Sequence, residues 1–392
     1  MKQLIPNRIK ALQTKMIEED IDIVLLRQNA DLFYFTHTVQ DAHLLIPAKA
    51  PPHLLVWRVY ERALRESPLE QIEPLKGLSH FKEIVRELGF HEAKTIGLEM
   101  DVLPANLFLF YSQNVWPNSQ FKDISTTIRQ IKSIKDIYEI ECIKVAANQA
   151  HEVLKRVPEM INKAETELEL AALVEAELRK RGHCGLIRMR LWNQEMGMDQ
   201  VISGTSATIP AWTLTPVGGE GPHPAFGQGA SFKKLRKNEI ISVDIGGWYE
   251  GYCCDITRPF FWGSPPVVVL EHFEKIKRIL SELESLLRPG NIAGDIYERA
   301  MALADQEGIS DVFMGIGNSR VPFVGHGLGI ELDEFPFISK KNKMRLESGM
   351  VLALEPKIIL ERYGVIGLED TYLIENDGCI RLTLDKQELT II

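Results

Sequence analysis

The sequence predicts a two-domain α/β protein, of the α+β kind, and three observations lead to this fold class. The chain has 392 residues, a length typical of two domains. Strand-like and helix-like segments alternate over the first third of the chain, which is typical of a domain with a mixed sheet. The remaining two thirds of the chain repeat one pattern, in which two predicted helices are followed by a predicted hairpin rich in acidic residues. We place the domain boundary near residue 130, so the predicted domains are residues 1–130 and 131–392.

Short apolar runs predict the strands of the first domain. Pro51 and Pro52 separate two of these runs and predict a tight turn between them. A helix is predicted over residues 78–90. The predicted strands are 21–26, 32–36, 44–46, 54–57 and 95–99.

Helical periodicity opens the second domain, where four apolar residues recur near helical spacing and predict a helix over 136–157. A loop rich in Gly and Pro is predicted over 203–231, and hairpins are predicted over 239–262 and 350–375. Further helices are predicted over 165–181, 268–288 and 293–307.

Composition argues against several classes of protein. Asp and Glu number 54 against 45 Lys and Arg, and the resulting net charge of −9 disfavours nucleic-acid binding. No apolar run approaches the ~18–20 residues needed to span a bilayer, and the N-terminal residues lack the apolar core of a secretory signal. We therefore expect a cytoplasmic protein with no membrane partner. The five cysteines form no C-x-x-C pair, which argues against a disulfide framework or a zinc knuckle.

The first acidic hairpin carries two aspartates. From Ile240 onward, apolar residues alternate with polar or small ones, as in a half-buried strand. With Tyr249-Glu250 as the turn, Asp244 lies directly opposite Asp255. Opposed side chains lie ~4.5–5.5 Å apart at Cβ, so these carboxylates repel each other unless a proton or a cation lies between them.

The second acidic hairpin follows the same pattern. Its turn is predicted at 361–363, which puts Glu355 opposite Glu369. Thr257 and Thr371 each follow a carboxylate by two residues, on the same face, where a hydroxyl can orient a carboxylate ligand. The alternative is that both hairpins present solvated outward faces, but the repetition of the pattern favours a site.

A histidine between glycines supplies a further ligand. His326 lies in a Gly-His-Gly-Leu-Gly segment, typical of a turn, where small neighbours leave its ring uncovered. Four carboxylates and this imidazole carry four negative charges and predict a site for two divalent ions. The predicted ligands are Asp244, Asp255, His326, Glu355 and Glu369. Oxygen-rich ligation suits Mn²⁺, Fe²⁺ or Co²⁺, with Zn²⁺ also open, and two such ions can generate hydroxide at neutral pH.

These motifs resemble those of the pita-bread metallopeptidases, which include methionine aminopeptidase, prolidase, aminopeptidase P and the related creatinase. The matching segments carry Asp244, Asp255 (GYCCDITRPF), His326 (GHGLG), Glu355 (LEP) and Glu369 (LEDT). The resemblance implies a creatinase-type N-terminal domain with a mixed sheet, then a catalytic domain with a curved antiparallel sheet and outer helices. It also implies a homodimer. Creatinase itself lacks these metal ligands, so their presence here indicates metal-dependent hydrolysis.

The resemblance also implies roles for individual residues. His223, in a Gly-Pro-His-Pro segment, stands where the family has a histidine that contacts substrate and helps to move a proton. We expect a metal-bridging hydroxide to attack the scissile carbonyl of a short Xaa-Pro peptide. Glu355 is then the general base, and His223 assists the departing group. The alternative for His223 is a surface-loop histidine stiffened by its flanking prolines.

Two positions depart from the family pattern. Asp333 stands where the family has a histidine that contacts the substrate carbonyl, and Gly367 stands where prolidase and aminopeptidase P have an arginine. We therefore expect Asp333 to bind a cationic or donor-bearing group of the substrate. Gly367 cannot clamp a carboxylate as an arginine would, so the preference for prolyl peptides is the property that these changes affect most.

Two other functions stay open at this point. The same fold supports creatinase-like hydrolysis or lysis of a small non-peptide metabolite, and some relatives have lost their metal ligands and only bind partners. The intact set of five ligands argues against a binding protein. A panel of peptides separates the two kinds of enzyme.

Overall fold

The computed structural model describes residues 3–392, and the chain divides into two compact units. The first unit ends at Lys132, and the second is Ser133–Ile392. Helices and strands occur in both, which confirms the predicted α/β class. Within the described range, no helix is long and apolar enough to cross a membrane. The five cysteines are free thiols.

A mixed sheet forms the centre of the first unit. Its strands, β1–β6 in chain order, are Ile23–Leu26, Ala42–Pro47, His53–Val56, Ile72–Pro74, Thr95–Leu98 and Gln120–Asp123. The helices α1–α6 are Ile5–Glu18, Asn29–Thr36, Tyr60–Glu66, Leu78–Glu87, Ala105–Phe110 and Ser125–Ser133. The strand order is β4-β3-β2-β1-β5-β6, with β1 antiparallel to β2 and parallel to β5. The sequence prediction of a mixed sheet is therefore confirmed.

One predicted strand of the first unit, 32–36, is wrong because these residues belong to α2. The Gln28 side chain accepts a hydrogen bond from the backbone N–H of Asp31 at 2.9 Å, which caps the helix that begins at Asn29. The misassigned run is short, apolar and aromatic. Such a run does not distinguish a strand from a buried helix, and here the cap decides.

Strands of the second unit carry the acidic hairpins. The strands β7–β16 are Asp199–Ser203, Ile240–Tyr249, Tyr252–Phe261, Gly325–Gly327, Val351–Leu354, Lys357–Leu360, Gly364–Gly367, Asp370–Glu375, Gly378–Arg381 and Thr390–Ile391. The helices α7–α11 are Ile137–Leu154, Val157–Ile161, Glu167–Lys180, Val267–Ser285 and Ala293–Gln306. One sheet has the order β16-β9-β8-β7 and another β10-β11-β14-β15, and β12 pairs with β13. The helices predicted from periodicity are all present, with ends shifted by a few residues.

The first acidic hairpin is β8–β9, and its predicted register is wrong. Gly246 pairs with Asp255, so Asp244 lies diagonally from that residue and not opposite it. The turn is Glu250-Gly251, where φ is +49° and +93°. Positive φ at both turn residues is the geometry that matches the twist of paired strands. Because the turn lies one residue later than predicted, the partner of each β8 residue shifts by two positions along β9. A shift by an even number leaves every side chain on its predicted face, so Asp244 and Asp255 still share a face of the hairpin.

The second acidic hairpin has the predicted register. The strands on both sides of Glu355 and Glu369 pair as expected, so these glutamates face each other in the gap between the β11–β14 and β12–β13 pairs. An isolated bridge from Thr257 to Glu369 joins this hairpin to β9. Carboxylates from both hairpins therefore come together.

A buried ion pair fixes the strand beside Glu369. Arg258 donates through Nη2 to Asp370 Oδ1 at 2.6 Å and through Nη1 to the Glu369 carbonyl oxygen at 2.8 Å. Both charged side chains are almost fully buried. Breaking such a pair leaves an uncompensated buried charge, at a cost of about 3–5 kcal/mol. The pair therefore holds β9 and β14 together next to the carboxylates.

Glu167 of α9 ties down both ends of the loop predicted over 203–231. One carboxylate oxygen accepts hydrogen bonds from the backbone N–H and hydroxyl of Ser203, at 2.7 and 2.8 Å. The other accepts from the N–H and hydroxyl of Ser231, at 3.1 and 2.7 Å. Glu167 is fully buried, so the loop that carries His223 begins and ends at fixed points.

Candidate metal centre

The five predicted metal ligands come from five different strands or their ends. Asp244 lies on β8, Asp255 on β9 and His326 on β10, whereas Glu355 follows β11 and Glu369 precedes β14. Asp255 Oδ2 and Glu355 Oε1 each lie 3.7 Å from His326 Nε2. Glu369 Oε1 lies 3.9 Å from the same nitrogen. Three carboxylates therefore surround one imidazole nitrogen.

These atoms fit one divalent ion. Donor atoms of Asp255, His326 and Glu369 all lie within 4.8 Å of one another, and ligands about 2.0–2.2 Å from a shared ion have comparable separations. Glu369 Oε1 is buried and has no hydrogen-bond partner in the part of the chain that the structure describes. A buried polar atom without a partner is costly. A cation held by these residues would supply the missing interaction.

Electrostatic repulsion among the carboxylates also favours a cation. Burial raises the pKa of Asp255 well above its usual value, and the neighbouring carboxylates of Glu369 and Asp244 raise it further. Burial likewise raises the pKa of Glu369 to about 8; Lys357 opposes this rise and Glu355 adds to it. Acidic groups shifted in this way take up either a proton or a cation.

Two threonines support the ligands across the hairpins. Thr257 Oγ1 donates to Glu369 Oε2 at 2.7 Å, as the prediction of an orienting hydroxyl requires. Thr371 instead contacts the backbone of Asp255, since its hydroxyl donates to the carbonyl oxygen at 2.8 Å and accepts from the N–H at 3.0 Å. Each threonine thus fixes a ligand of the other hairpin.

Lys357 is a site residue that the sequence reasoning missed. Its Nζ donates to Glu369 Oε2 at 2.8 Å, to Glu355 Oε2 at 2.9 Å and to Asp244 Oδ2 at 3.0 Å. Burial lowers the pKa of Lys357, but these three carboxylates outweigh burial and hold the pKa well above its usual value. A charged ammonium group therefore lies among the predicted metal ligands.

Two signals in the sequence point to Lys357. It follows Glu355 by two residues and so shares its face of the strand, and the predicted hairpin register places it opposite Gly367. A Cβ atom on Gly367 would lie 2.5 Å from Lys357 Cγ. The glycine at 367 therefore makes room for the lysine stem.

Close strand packing explains the glycines beside His326. A Cβ on Gly325 would lie 2.3 Å from the carbonyl oxygen of Ala353, and a Cβ on Gly327 would lie 2.1 Å from that of Phe335. Only glycine fits at either position. The expectation that these glycines leave the ring uncovered is wrong, because His326 is buried; they allow the close approach that aims the ring at the carboxylates.

Asp333 lies in the wall of the adjacent cavity. Its Oδ1 accepts from the backbone N–H of Arg190 at 2.8 Å, and its Oδ2 accepts from the N–H of Leu191 at 2.9 Å. The carboxylate therefore holds the segment that forms part of the cavity wall. Both oxygens of Asp333 already accept hydrogen bonds from the backbone. The predicted contact of Asp333 with substrate stays a prediction.

His223 lies on an exposed turn. Its Nδ1 accepts a hydrogen bond from the N–H of Ala225 at 3.1 Å, and its carbonyl oxygen accepts from the N–H of Phe226 at 2.8 Å. Among the described residues that line the cavity, His223 does not occur. The structure does not bring His223 to the carboxylates, since the residue is exposed on a turn outside the cavity lining. The surface-loop alternative describes this geometry.

A cavity of about 310 Å³ opens onto the cluster. Its wall is mostly apolar, and the apolar side chains include Ile187, Met189, Leu191, Met198, Leu214, Phe323, Leu332 and Phe337. An apolar wall excludes water and strengthens electrostatic interactions inside the site. The cavity therefore suits a small substrate with apolar groups.

Asp199 is a second site residue that the sequence reasoning missed, and it is acidic. It begins β7 and lines the cavity, and its Oδ2 has no hydrogen-bond partner among residues 3–392. Burial raises the pKa of Asp199 well above its usual value, and the nearby carboxylates of Glu175 and Asp244 add to the rise. The residue gives the cavity an acidic group that can meet a donor group of a bound molecule.

Comparisons with protein families give two matches along the chain. Residues 141–376 match the metallopeptidase family M24, and residues 8–134 match the creatinase/prolidase N-terminal domain. The chain is 27% identical to an Xaa-Pro dipeptidase of Pyrococcus furiosus over 337 residues, which are 85% of either chain.

Solved structures show the same fold. The chain matches the prolidase from Pyrococcus horikoshii OT3 with a TM-score of 0.80 and 25% identity, covering 98% of this chain and 99% of that one. For the X-Pro aminopeptidase from Thermotoga maritima MSB8 the TM-score is 0.77 and the identity 26%, covering 95% and 98%. The N-terminal domain of a FACT complex subunit from Eremothecium gossypii matches with a TM-score of 0.76 and 15% identity, covering 100% and 99%. At that identity the likeness concerns the fold alone.

We predict that Asp255→Ala loses the bound ion, because the substitution removes one of the carboxylates around His326. Elemental analysis of Mn²⁺-loaded and desalted protein measures this. Glu375→Ala is the matched control, since Glu375 is an exposed acidic residue at the end of β14. An unchanged ion content in Asp255→Ala would contradict the assignment of this cluster.

Proposed function

Because the chain belongs to metallopeptidase family M24, we propose that it is a metal-dependent peptidase that cleaves short Xaa-Pro peptides. One observation carries the proposal: a buried cluster of carboxylates and one imidazole opens onto a small apolar cavity. The similarity to a protein named Xaa-Pro dipeptidase over most of both chains supports the substrate class.

The proposed cofactor is a divalent ion, which is Mn²⁺, Co²⁺, Fe²⁺ or Zn²⁺. The residues that would hold it are Asp255, His326, Glu355 and Glu369. When bound, such an ion polarises a carbonyl group and makes water more acidic. The ammonium group of Lys357 contacts three of the carboxylates. Whether the site holds the predicted two ions therefore depends on whether this group leaves room for the second.

Glu355 is the proposed general base. Its Oε2 accepts a hydrogen bond from Lys357, which fixes the carboxylate, and its Oε1 lies on the side of His326. A carboxylate held in this way can take a proton from water and return it to the departing nitrogen. Because His223 lies on an exposed turn, we assign both proton transfers, from the water and to the departing nitrogen, to Glu355. General acid–base catalysis contributes about 10²–10⁴-fold to a rate.

The substrate side of the proposal follows from the apolar wall and from Gly367. The wall accommodates an apolar side chain and a proline ring. Lys357 lies over Gly367, but its N–H groups are committed to carboxylates, so it does not replace the arginine as a clamp for a substrate carboxylate. We therefore propose that longer Xaa-Pro peptides are better substrates than Xaa-Pro dipeptides.

We further propose that the protein is a cytoplasmic homodimer without nucleic-acid or membrane partners. The family resemblance supports the dimer and the cytoplasmic location. The net charge of −9 disfavours contact with phosphate backbones.

The alternative function is hydrolysis of a small non-peptide molecule on the same centre. Two observations favour it, namely the glycine at 367 and the engagement of both Asp333 oxygens by backbone N–H groups. A peptidase would then lack two of the contacts that hold a peptide in place.

We predict that metal-loaded protein hydrolyses Xaa-Pro peptides faster than matched peptides with alanine in place of proline. Turnover is measured by separating the products over a panel that contains dipeptides and longer peptides. Glu355→Gln keeps the size of the side chain but removes the base, and we expect it to lose about 10²-fold or more. If no peptide is cleaved by fully loaded protein, the non-peptide alternative replaces the peptidase.

A second prediction concerns His223. We expect His223→Ala to keep the bound ion and to change turnover of the best Xaa-Pro peptide less than about 3-fold, well below the range of acid–base catalysis. The reason is the exposed turn, which places the ring outside the cavity. A loss near 10²-fold would show that the turn moves during the reaction and returns His223 to catalysis.

A further inference from the structure

We propose that the ammonium group of Lys357 occupies the position of a second ion, so that this centre binds one divalent ion and not two. The inference rests on the proposed metal centre and deepens it. It departs from the count of two ions that four carboxylates and a histidine predict. Four sets of contacts carry it.

The first set is the hydrogen bonding of the ammonium group itself. Nζ lies 2.8–3.0 Å from one oxygen of each of three carboxylates, those of Glu369, Glu355 and Asp244. A lysine ammonium has three N–H donors, so all of them are used within the site. Lys357 thereby makes the charged contacts that a second cation would make.

The second set concerns the two carboxylate oxygens of Glu369. Its Oε2 already accepts hydrogen bonds from Thr257 Oγ1 at 2.7 Å and from Lys357 Nζ at 2.8 Å. Only Oε1, which has no partner among the described residues, is open to an ion. The carboxylate thus offers one oxygen to an ion and the other to the ammonium.

The third set concerns Asp244. Asp255, Glu355 and Glu369 each place a carboxylate oxygen 3.7–3.9 Å from His326 Nε2, whereas among the described residues no such contact joins Asp244 to His326. Asp244 Oδ2 instead binds Lys357 at 3.0 Å. Asp244, which the sequence predicts as a metal ligand, therefore serves as a partner of Lys357.

The fourth set shows why the lysine stays where it is. Its stem packs over Gly367, where an added Cβ would lie 2.5 Å from Cγ, 3.2 Å from Cδ and 3.3 Å from Cε. The side chain is almost fully buried, and an ammonium that left the three carboxylates would leave buried charges unpaired. An ion bound to the same oxygens at about 2.1 Å would need the volume that Nζ fills.

The experiment counts Mn²⁺ ions bound to the full-length protein. Chelator-stripped protein is titrated with Mn²⁺ alone, and ion content is measured by elemental analysis after desalting. Electron paramagnetic resonance then distinguishes an isolated Mn²⁺ from an exchange-coupled pair. We expect one isolated ion per wild-type chain; zero ions or a coupled pair would overturn the inference.

Substitutions at the lysine test its role directly. Lys357→Ala frees the three carboxylates, and we expect it to bind two ions as a coupled pair. The exposed Lys340 supplies the matched control, and Lys340→Ala should bind one ion. If Lys357→Ala binds one ion like the wild type, the lysine does not block a second ion, and the inference is wrong.

Asp244→Asn keeps the test decisive if Lys357→Ala fails to fold. With the lysine in the second position, Asp244 holds no ion, and Asp244→Asn should still bind one. In a centre with two ions the same substitution would reduce the count from two to one. Peptide turnover is measured separately: protein with one bound ion that cleaves no peptide overturns the proposed function and leaves this inference standing.

Discussion

Repulsion among four carboxylates in one small, mostly buried space is the constraint on which this site depends. Asp244, Asp255, Glu355 and Glu369 come from both acidic hairpins, and without positive charge they would push the hairpins apart. Lys357 supplies one positive charge from within the strands. The remaining repulsion is concentrated beside His326, where Glu369 Oε1 has no partner among the described residues, and this is where an ion fits.

The surrounding structure holds these like charges at fixed positions. The pair between Arg258 and Asp370 fixes the backbone next to Glu369, and Thr371 fixes the backbone of Asp255. The glycines beside His326 allow the close strand contact that aims its ring. A site of this kind depends on rigid strands more than on flexible loops, since a small shift of one carboxylate changes its distance to all the others.

Much of this site could be predicted from the sequence, because alternation along a strand determines which side chains share a face. Glu355 and Glu369 were placed correctly, whereas the first hairpin was misregistered since a Glu-Gly turn gives a weaker signal than Asn-Gly. Lys357 was overlooked although the same alternation places it beside Glu355. The sequence left the exposure of His223 open as one of two alternatives, because the path of a long loop depends on distant anchors such as Glu167.

The most direct test of the account is the position of metal in crystals grown with Mn²⁺, measured by anomalous X-ray diffraction. The account predicts one anomalous peak per chain, bounded by Asp255, His326, Glu355 and Glu369. It also predicts electron density for the Lys357 side chain extending to Asp244. Two peaks within a few ångströms of each other, with the lysine displaced from the carboxylates, would contradict it.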